Sequence, residues 1–231
     1  MEPTENHNET IIRRRRWILL SVMALALCFL IVSVLFLARI NGWIGGKDET
    51  ALLTIVDATH PVSENAYQSL SFLDDSFMVD ERCAEELEAM LQACRLAGHH
   101  PRLTAAYRSA TEQRELLNAL TEEYMTQGMS ADEARSLALQ RHDEPGCSEH
   151  QLGLAVDIED EESEAAALTE RWLREHAWEY GFIQRYPQGK ESVTHHPYTP
   201  AHYRFVGLDA ARQIQELDLS LEEYVAMFYG N

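Results

Sequence analysis

Two histidines and an aspartate are the most informative residues of this chain. His150 and Asp157 flank a glycine and small apolar residues in Ser148-Glu149-His150-Gln151-Leu152-Gly153-Leu154-Ala155-Val156-Asp157. His202 opens a second run, His202-Tyr203-Arg204-Phe205-Val206-Gly207, in which apolar residues alternate. Two imidazoles and one carboxylate form a ligand set of the kind that holds a catalytic zinc with one coordination position open. A bare His-x6-Asp spacing is weak evidence, because such pairs more often serve structure. The neighbouring elements decide how it is read.

Leu154 to Ile158 reads as a strand, so Asp157, Ala155 and Gly153 share one face, with small residues leaving room for a metal and a substrate. His202 to Val206 reads as a second strand that supplies the third ligand. Leu52 to Val56, Leu103 to Tyr107 and Phe182 to Tyr186 are further strand candidates. Asp80 to Ala97 is an amphipathic helix with Asp80 as N-cap, Leu87, Met90, Leu91 and Cys94 on its apolar face, and Gly98 to end it. Thr111 to Gln127 is a second helix. Ser130-Ala131-Asp132-Glu133 is a capping box for a third, which runs to about Arg141. Thr169 to Tyr180 is a helix stopped by Gly181, and Ser220-Leu221-Glu222-Glu223 caps the last. Helices and strands mix without regular βαβ alternation, which predicts an α+β fold with a small, mainly antiparallel sheet flanked by helices.

The N-terminal part has a different character. Arg13 to Arg16 are followed by Trp17 to Ala38, which carries no charged residue and matches the ~20 apolar residues of a membrane-crossing helix. The arginine cluster before it and the acidic chain after it put the N-terminus inside and the rest outside the cytoplasm. A cleaved signal peptide is the competing reading, but the run is long for one and no small-x-small site follows. The expected organisation is a cytoplasmic tail over 1–16, an anchor over 17–38, a linker over 39–51 and one domain over 52–231. The net charge is −19, and the part beyond the anchor is more acidic still. That argues against nucleic acid and anionic membrane surfaces as partners of the domain. Outside the anchor, which holds Cys28, stand Cys83, Cys94 and Cys147. The first two are three turns apart on one helix and too distant to bridge, so three ordinary thiols are expected, with a bridge to Cys147 as the alternative.

Several motifs in order make the chain resemble the VanY-type D-alanyl-D-alanine carboxypeptidases, relatives of the D-Ala-D-Ala dipeptidases and of the peptidase-like fold of hedgehog. The motifs are Val79-Asp80-Glu81-Arg82, Ala106-Tyr107-Arg108-Ser109 with Gln113, and Ser148-x-His150-x2-Gly153-x-Ala155-x-Asp157. They continue with Trp172-Leu173, Tyr180-Gly181-Phe182, Arg185-Tyr186-Pro187, Gly189-Lys190-Glu191 and His202-Tyr203-Arg204-Phe205-Val206-Gly207. The resemblance covers nearly everything from about Leu52 onward. It implies the hedgehog/D,D-peptidase-like fold, a zinc ion on His150, Asp157 and His202, and peptidoglycan stem peptides ending in D-Ala as substrate. It also implies that Arg108 holds the substrate's terminal carboxylate, a role that suits a guanidinium fork, and that Ser148 hydrogen-bonds the bound peptide.

One departure stands out. The family reads Glu-Pro-Trp-His before the last ligand, and this chain reads Thr199-Pro200-Ala201-His202. Thr199 therefore occupies the family's general-base position with a hydroxyl that is not basic near neutral pH, and Ala201 replaces a tryptophan that walls the pocket. A positioned base contributes ~10²–10⁴-fold, so the loss matters. Glu149, Glu191, His195 and His196 are nearby replacements, each expected to be an ordinary solvent-exposed loop residue. The pairs His195-His196 and His99-His100 are not read as metal sites. Three readings follow: a membrane-anchored zinc D,D-carboxypeptidase, a pseudoenzyme that binds wall peptides or a partner protein, or a related L,D- or endopeptidase with a wider pocket.

Overall fold

The computed structural model describes residues 17, 20, 23, 33, 47–62, 69–73, 76–162 and 164–230. The expected membrane anchor lies almost wholly outside these residues, and among the described residues no helix is long and apolar enough to cross a membrane. Contacts divide the chain into two units, Met1–Thr50 and Ala51–Asn231. In the first, Trp17, Leu20, Met23 and Ser33 are helical.

In chain order the elements are α1 (Lys47–Leu52), β1 (Leu70–Phe72), β2 (Met78–Asp80), α2 (Glu81–Leu96), β3 (Pro101–Ala105), α3 (Ala110–Thr126) and α4 (Ala131–Leu139). They continue with a 3₁₀ turn (Glu149–Leu152), β4 (Ala155–Asp160), α5 (Ala166–His176), a second 3₁₀ turn (Ala177–Tyr180) and β5 (Phe182–Tyr186). The last are α6 (Glu191–Thr194), β6 (Thr199–Phe205), α7 (Leu208–Leu217) and α8 (Leu221–Phe228). β1 and β2 form a small ribbon, and the main sheet has the order β3-β4-β6-β5, with every pairing antiparallel. The α+β class and the antiparallel sheet are as the sequence leads one to expect.

Local chemistry explains the boundaries. The Asp80 side chain accepts from the Arg82 N–H at 3.0 Å and so opens α2. Ser109, Ser130 and Ser220 each form a full capping box with the glutamate three residues on, starting α3, α4 and α8. Cys83, Leu87, Met90, Leu91 and Cys94 form the buried face of α2. They pack with Leu154, with Val156 and Ile158 of β4, and with Phe182, Tyr203 and Phe205 in the principal core. A second cluster joins Leu53, Ile183 and Val206 to α7 and α8. Cys83, Cys94 and Cys147 are free thiols, though Cys147 is only partly buried.

Three expectations change. The strand expected at 52–56 is instead the end of α1 and an irregular stretch. The Arg204 guanidinium takes the Leu52 and Thr54 carbonyls at 2.9 and 3.1 Å, so they are not free for a sheet ladder. The expected helix over 169–180 is α5 followed by a 3₁₀ turn, which Gly181 closes at φ 78°. Gly153 does not lie on β4 facing the ligands; it is the left-handed cap of the turn before it, at φ 71°. Its carbonyl accepts from the Asp80 N–H at 2.8 Å, and an added Cβ would sit 2.9 Å from that same nitrogen. The glycine thus makes room for the start of α2. The β1–β2 ribbon and α7 were not anticipated, because β1 and β2 are too short for a periodic signal and α7 lacks a side-chain cap.

Gly153→Ala is therefore expected to cost roughly 1–3 kcal/mol, from the strained φ together with the close contact. Denaturant unfolding of the variant beside the parent protein checks this.

Candidate metal centre and cleft

Antiparallel pairing of β4 with β6 sets Asp157 directly opposite His202. Directly opposed side chains on one face lie ~4.5–5.5 Å apart at Cβ, and here Asp157 Oδ1 approaches His202 Nδ1 to 2.7 Å. His150 arrives from the 3₁₀ turn just before β4. Its Nε2 lies 3.4 Å from Asp157 Oδ2, and its Nδ1 lies 2.9 Å from the Ala106 carbonyl just beyond β3. A carbonyl can only accept, so Nδ1 carries a proton and Nε2 is the ring atom turned toward the aspartate. One ligand atom from each of the three residues lies within 4.8 Å of the others. The sequence-expected trio is thus assembled, from two strands and one turn.

The second face of His202 shows why the trio suits a cation. Its Nε2 lies 3.6 Å from Glu149 Oε2, an ion-pair distance longer than a hydrogen bond. Burial alone would lower the His202 pKa, but the Asp157 and Glu149 carboxylates on its two sides outweigh burial and push it up to about 9. Burial would raise the Asp157 pKa, and the two imidazoles instead hold it well below the usual carboxylate range. The pocket therefore recruits positive charge. A divalent ion at the Nδ1 face would replace the proton there, with the Glu149 carboxylate facing Nε2 on the far side of the ring. Two imidazole nitrogens, a carboxylate oxygen and an oriented second ring nitrogen fit zinc with a position open to the cleft.

Glu149 is not the solvent-exposed loop residue the sequence suggested, because it is 1% exposed. Arg185 Nε on β5 donates to Glu149 Oε1 at 2.7 Å, and Arg204 Nη1 on β6 lies 2.9 Å from the same oxygen. Both arginines are fully buried. Arg185 also grips Glu222 of α8, through Nη1 at 3.1 Å and Nη2 at 2.6 Å. Burial would raise the Glu149 pKa, but the two guanidinium groups hold it far below the ordinary range. The sequence offered no direct signal for this network, since its members are separated along the chain and come together only through the sheet.

The cleft beside the metal ligands is lined by Arg108, Gln113, Arg141, His142, Asp143, Ser148, Tyr186, His196 and Thr199. Arg108 and Ser148 are both among these lining residues. The Arg108 N–H donates to the His150 carbonyl at 3.2 Å, and its Nη1 donates to Gln113 Oε1 at 2.7 Å. Gln113 Nε2 in turn donates to the Asp143 carbonyl at 2.7 Å. Ser148 is buried at the head of the 3₁₀ turn, and its hydroxyl makes no capping bond there. Thr199 Oγ1 donates to the Pro197 carbonyl at 3.0 Å. The His196 ring stacks on Tyr186 at 3.8 Å between centroids, and Tyr186 stacks on His202 at 5.3 Å. Of the other candidate replacements for a base, Glu191 and His195 are exposed and do not line the cleft. Asp143 and His142, which do, carried no motif and were missed.

Glu149→Gln is expected to destabilise the protein by about 3–5 kcal/mol, because it leaves two buried guanidinium groups without their shared anion. Equilibrium unfolding measures that loss, and an unchanged midpoint would contradict the network's importance.

Residues 76–208 match the model of the VanY family, described as D-alanyl-D-alanine carboxypeptidase. A D-alanyl-D-alanine carboxypeptidase of Enterococcus faecalis (strain ATCC 700802 / V583) is 34% identical over 181 residues, 78% of this chain and 68% of that protein. Among solved structures, a vancomycin-resistance D,D-pentapeptidase VanY variant in complex with Zn(II) superposes with a TM-score of 0.69 at 34% identity, covering 75% of this chain and 98% of that one. The LD-carboxypeptidase LdcB superposes with a TM-score of 0.63 at 31% identity, covering 75% and 85%.

Proposed function

Because this chain belongs to the VanY family of D-alanyl-D-alanine carboxypeptidases, we propose that it is a zinc D,D-carboxypeptidase removing the terminal D-Ala of peptidoglycan stem peptides. The observation that carries the reading is the converging trio His150, Asp157 and His202, with Glu149 behind His202 and a cleft open beside it. These three residues would hold the zinc, which as a Lewis acid polarises the scissile carbonyl and makes water more acidic. A vancomycin-resistance VanY enzyme, VanYB, is known in complex with D-alanine-D-alanine, which supports the same class of ligand here.

The remaining roles belong to the protein's own side chains. Arg108, steadied by Gln113, presents a guanidinium to the substrate's free carboxylate, and a bidentate pair would fix the chain end as well as its charge. Ser148 offers an uncommitted hydroxyl to the bound peptide. The stacked rings of Tyr186 and His196 form a flat apolar wall, and the Arg185–Glu149–Arg204 network behind His202 keeps that ring in place. Thr199, at the position where the resemblance expects the base, has a hydroxyl already given to a carbonyl.

The protein sits at the membrane in this proposal, held by the uncharged stretch 17–38 with the arginine cluster inside and the domain outside. Trp17, Leu20 and Met23 are helical with exposed apolar side chains, which supports a lipid-facing segment. Sedimentation with membranes, release only by detergent and digestion of the domain by protease added outside intact cells are the expected results.

The activity is tested on purified, zinc-loaded protein with a pentapeptide ending in D-Ala-D-Ala. D-Ala release is expected, with loss to background in His150→Ala and a raised KM in Arg108→Ala. Release from a tetrapeptide ending in a single D-Ala, with none from the pentapeptide, would favour L,D-cleavage. Zinc and peptide binding without any release would favour a binding module.

A further inference from the structure

The cleft holds a carboxylate with no assigned role. Its lining residues include two acids, and one of them, Asp157, faces both imidazoles of the metal trio. The other is Asp143, in the loop between α4 and the 3₁₀ turn. The nearby carboxylates outside the lining are already engaged. Glu149 is clasped by Arg185 and Arg204 behind His202. Glu112 closes the α3 capping box, and Glu144 pairs with Arg135 at 2.7 Å. Glu191 is exposed and accepts from the Gly189 N–H.

We propose that Asp143 is the general base of this cleft, doing the work that the Thr199 hydroxyl cannot do. The proposal rests on the carboxypeptidase reading above. Three observations carry it. First, Asp143 lines the same cleft as Arg108, His150, Asp157, Thr199 and His202. Second, among the described residues its carboxylate has no hydrogen-bond partner, although the residue is half-buried, so both oxygens are available. Third, its backbone is held firmly. The Asp143 carbonyl takes the Gln113 amide at 2.7 Å, the same Gln113 that steadies Arg108. The next residue is fixed by the Arg135–Glu144 pair, and the Glu144 carbonyl takes the Cys147 N–H at 2.9 Å. A base and a carboxylate clamp tied to one glutamine keep a constant spacing, which is what a positioned proton acceptor requires.

The surroundings suit the role. Burial raises the Asp143 pKa above the ordinary aspartate value, with Glu149 adding to the rise and His196, His202 and His150 opposing it. A base closer to neutrality accepts and returns a proton more readily. His196 is the competing group, but its ring is stacked on Tyr186 and its Nδ1 lies 2.9 Å from the Pro197 carbonyl. In the step, the carboxylate takes one proton from the attacking water while the water oxygen bonds to the scissile carbonyl carbon. The C–N bond then breaks, its electron pair stays on nitrogen, and the Asp143 proton passes to that nitrogen. The products are the shortened peptide and D-alanine, so one peptide and one water are consumed with nothing left over.

The experiment compares the parent protein with Asp143→Asn, His196→Gln and Asp143→Asn combined with Thr199→Glu. Zinc affinity, calorimetric binding of the pentapeptide and D-Ala release are measured on each. Asp143→Asn is expected to bind zinc and pentapeptide as the parent does, to lose ~10²–10⁴-fold in kcat and to regain release when Thr199→Glu is added. Parent-like release by Asp143→Asn overturns the assignment alone, as does loss confined to His196→Gln. Loss of zinc or peptide binding in Asp143→Asn also overturns it, by making the residue a positioning one. A parent protein that binds zinc and pentapeptide but releases no D-Ala overturns the carboxypeptidase reading and this assignment together.

Discussion

One buried anion organises this molecule. The Glu149 carboxylate lies between the Arg185 and Arg204 guanidinium groups, with all three side chains essentially sealed from water. A lone buried charge would be intolerable, and a buried pair barely breaks even. Here the charges are chained: Arg185 reaches on to Glu222, and Arg204 to the carbonyls of Leu52 and Thr54. The network ties the chain entering the domain, the 3₁₀ turn, the two strands β5 and β6 and the last helix to one point. The free oxygen of that same carboxylate faces His202. Stability and ligand orientation thus share one group.

The sheet supplies the rest of the precision. Because β4 and β6 pair with Asp157 opposite His202, these two side chains hold their spacing through backbone hydrogen bonds rather than through loops. His150 depends on the Ala106 carbonyl that accepts from its Nδ1 and on Gly153 turning the chain so that β4 starts where it does. His202 lies between the Asp157 and Glu149 carboxylates, which push its pKa upward against burial.

The cleft combines a familiar plan with a local departure. Arg108 and Ser148 line the same space as His150, Asp157 and His202. At position 199 a threonine caps its own loop instead of presenting a carboxylate. The loop at 141–143 brings Arg141, His142 and Asp143 to the same space, so polar groups from a different part of the chain furnish the wall. Gln113 couples that loop to Arg108, through one bond to the guanidinium and one to the Asp143 carbonyl.

The α+β class, the capped helix starts and the candidate trio His150, Asp157 and His202 were legible in the chain before it folds. These are local or patterned signals: the capping boxes at Ser109, Ser130 and Ser220, the apolar face of α2, and the spaced motifs around His150, Asp157 and His202. Tertiary structure alone decided the fate of Glu149 and Asp143. Nothing in the residues beside Glu149 distinguishes it from a surface acid; burial comes from Arg185 and Arg204, which lie 36 and 55 positions away. The 52–56 stretch has a strand's composition, yet Arg204 claims its carbonyls. Gly153 shares the alternation of β4, but its positive φ and its contact with the Asp80 nitrogen take it off the strand. In each case a long-range polar contact overrode a short-range pattern, because a buried donor or acceptor must find its partner wherever the fold puts one.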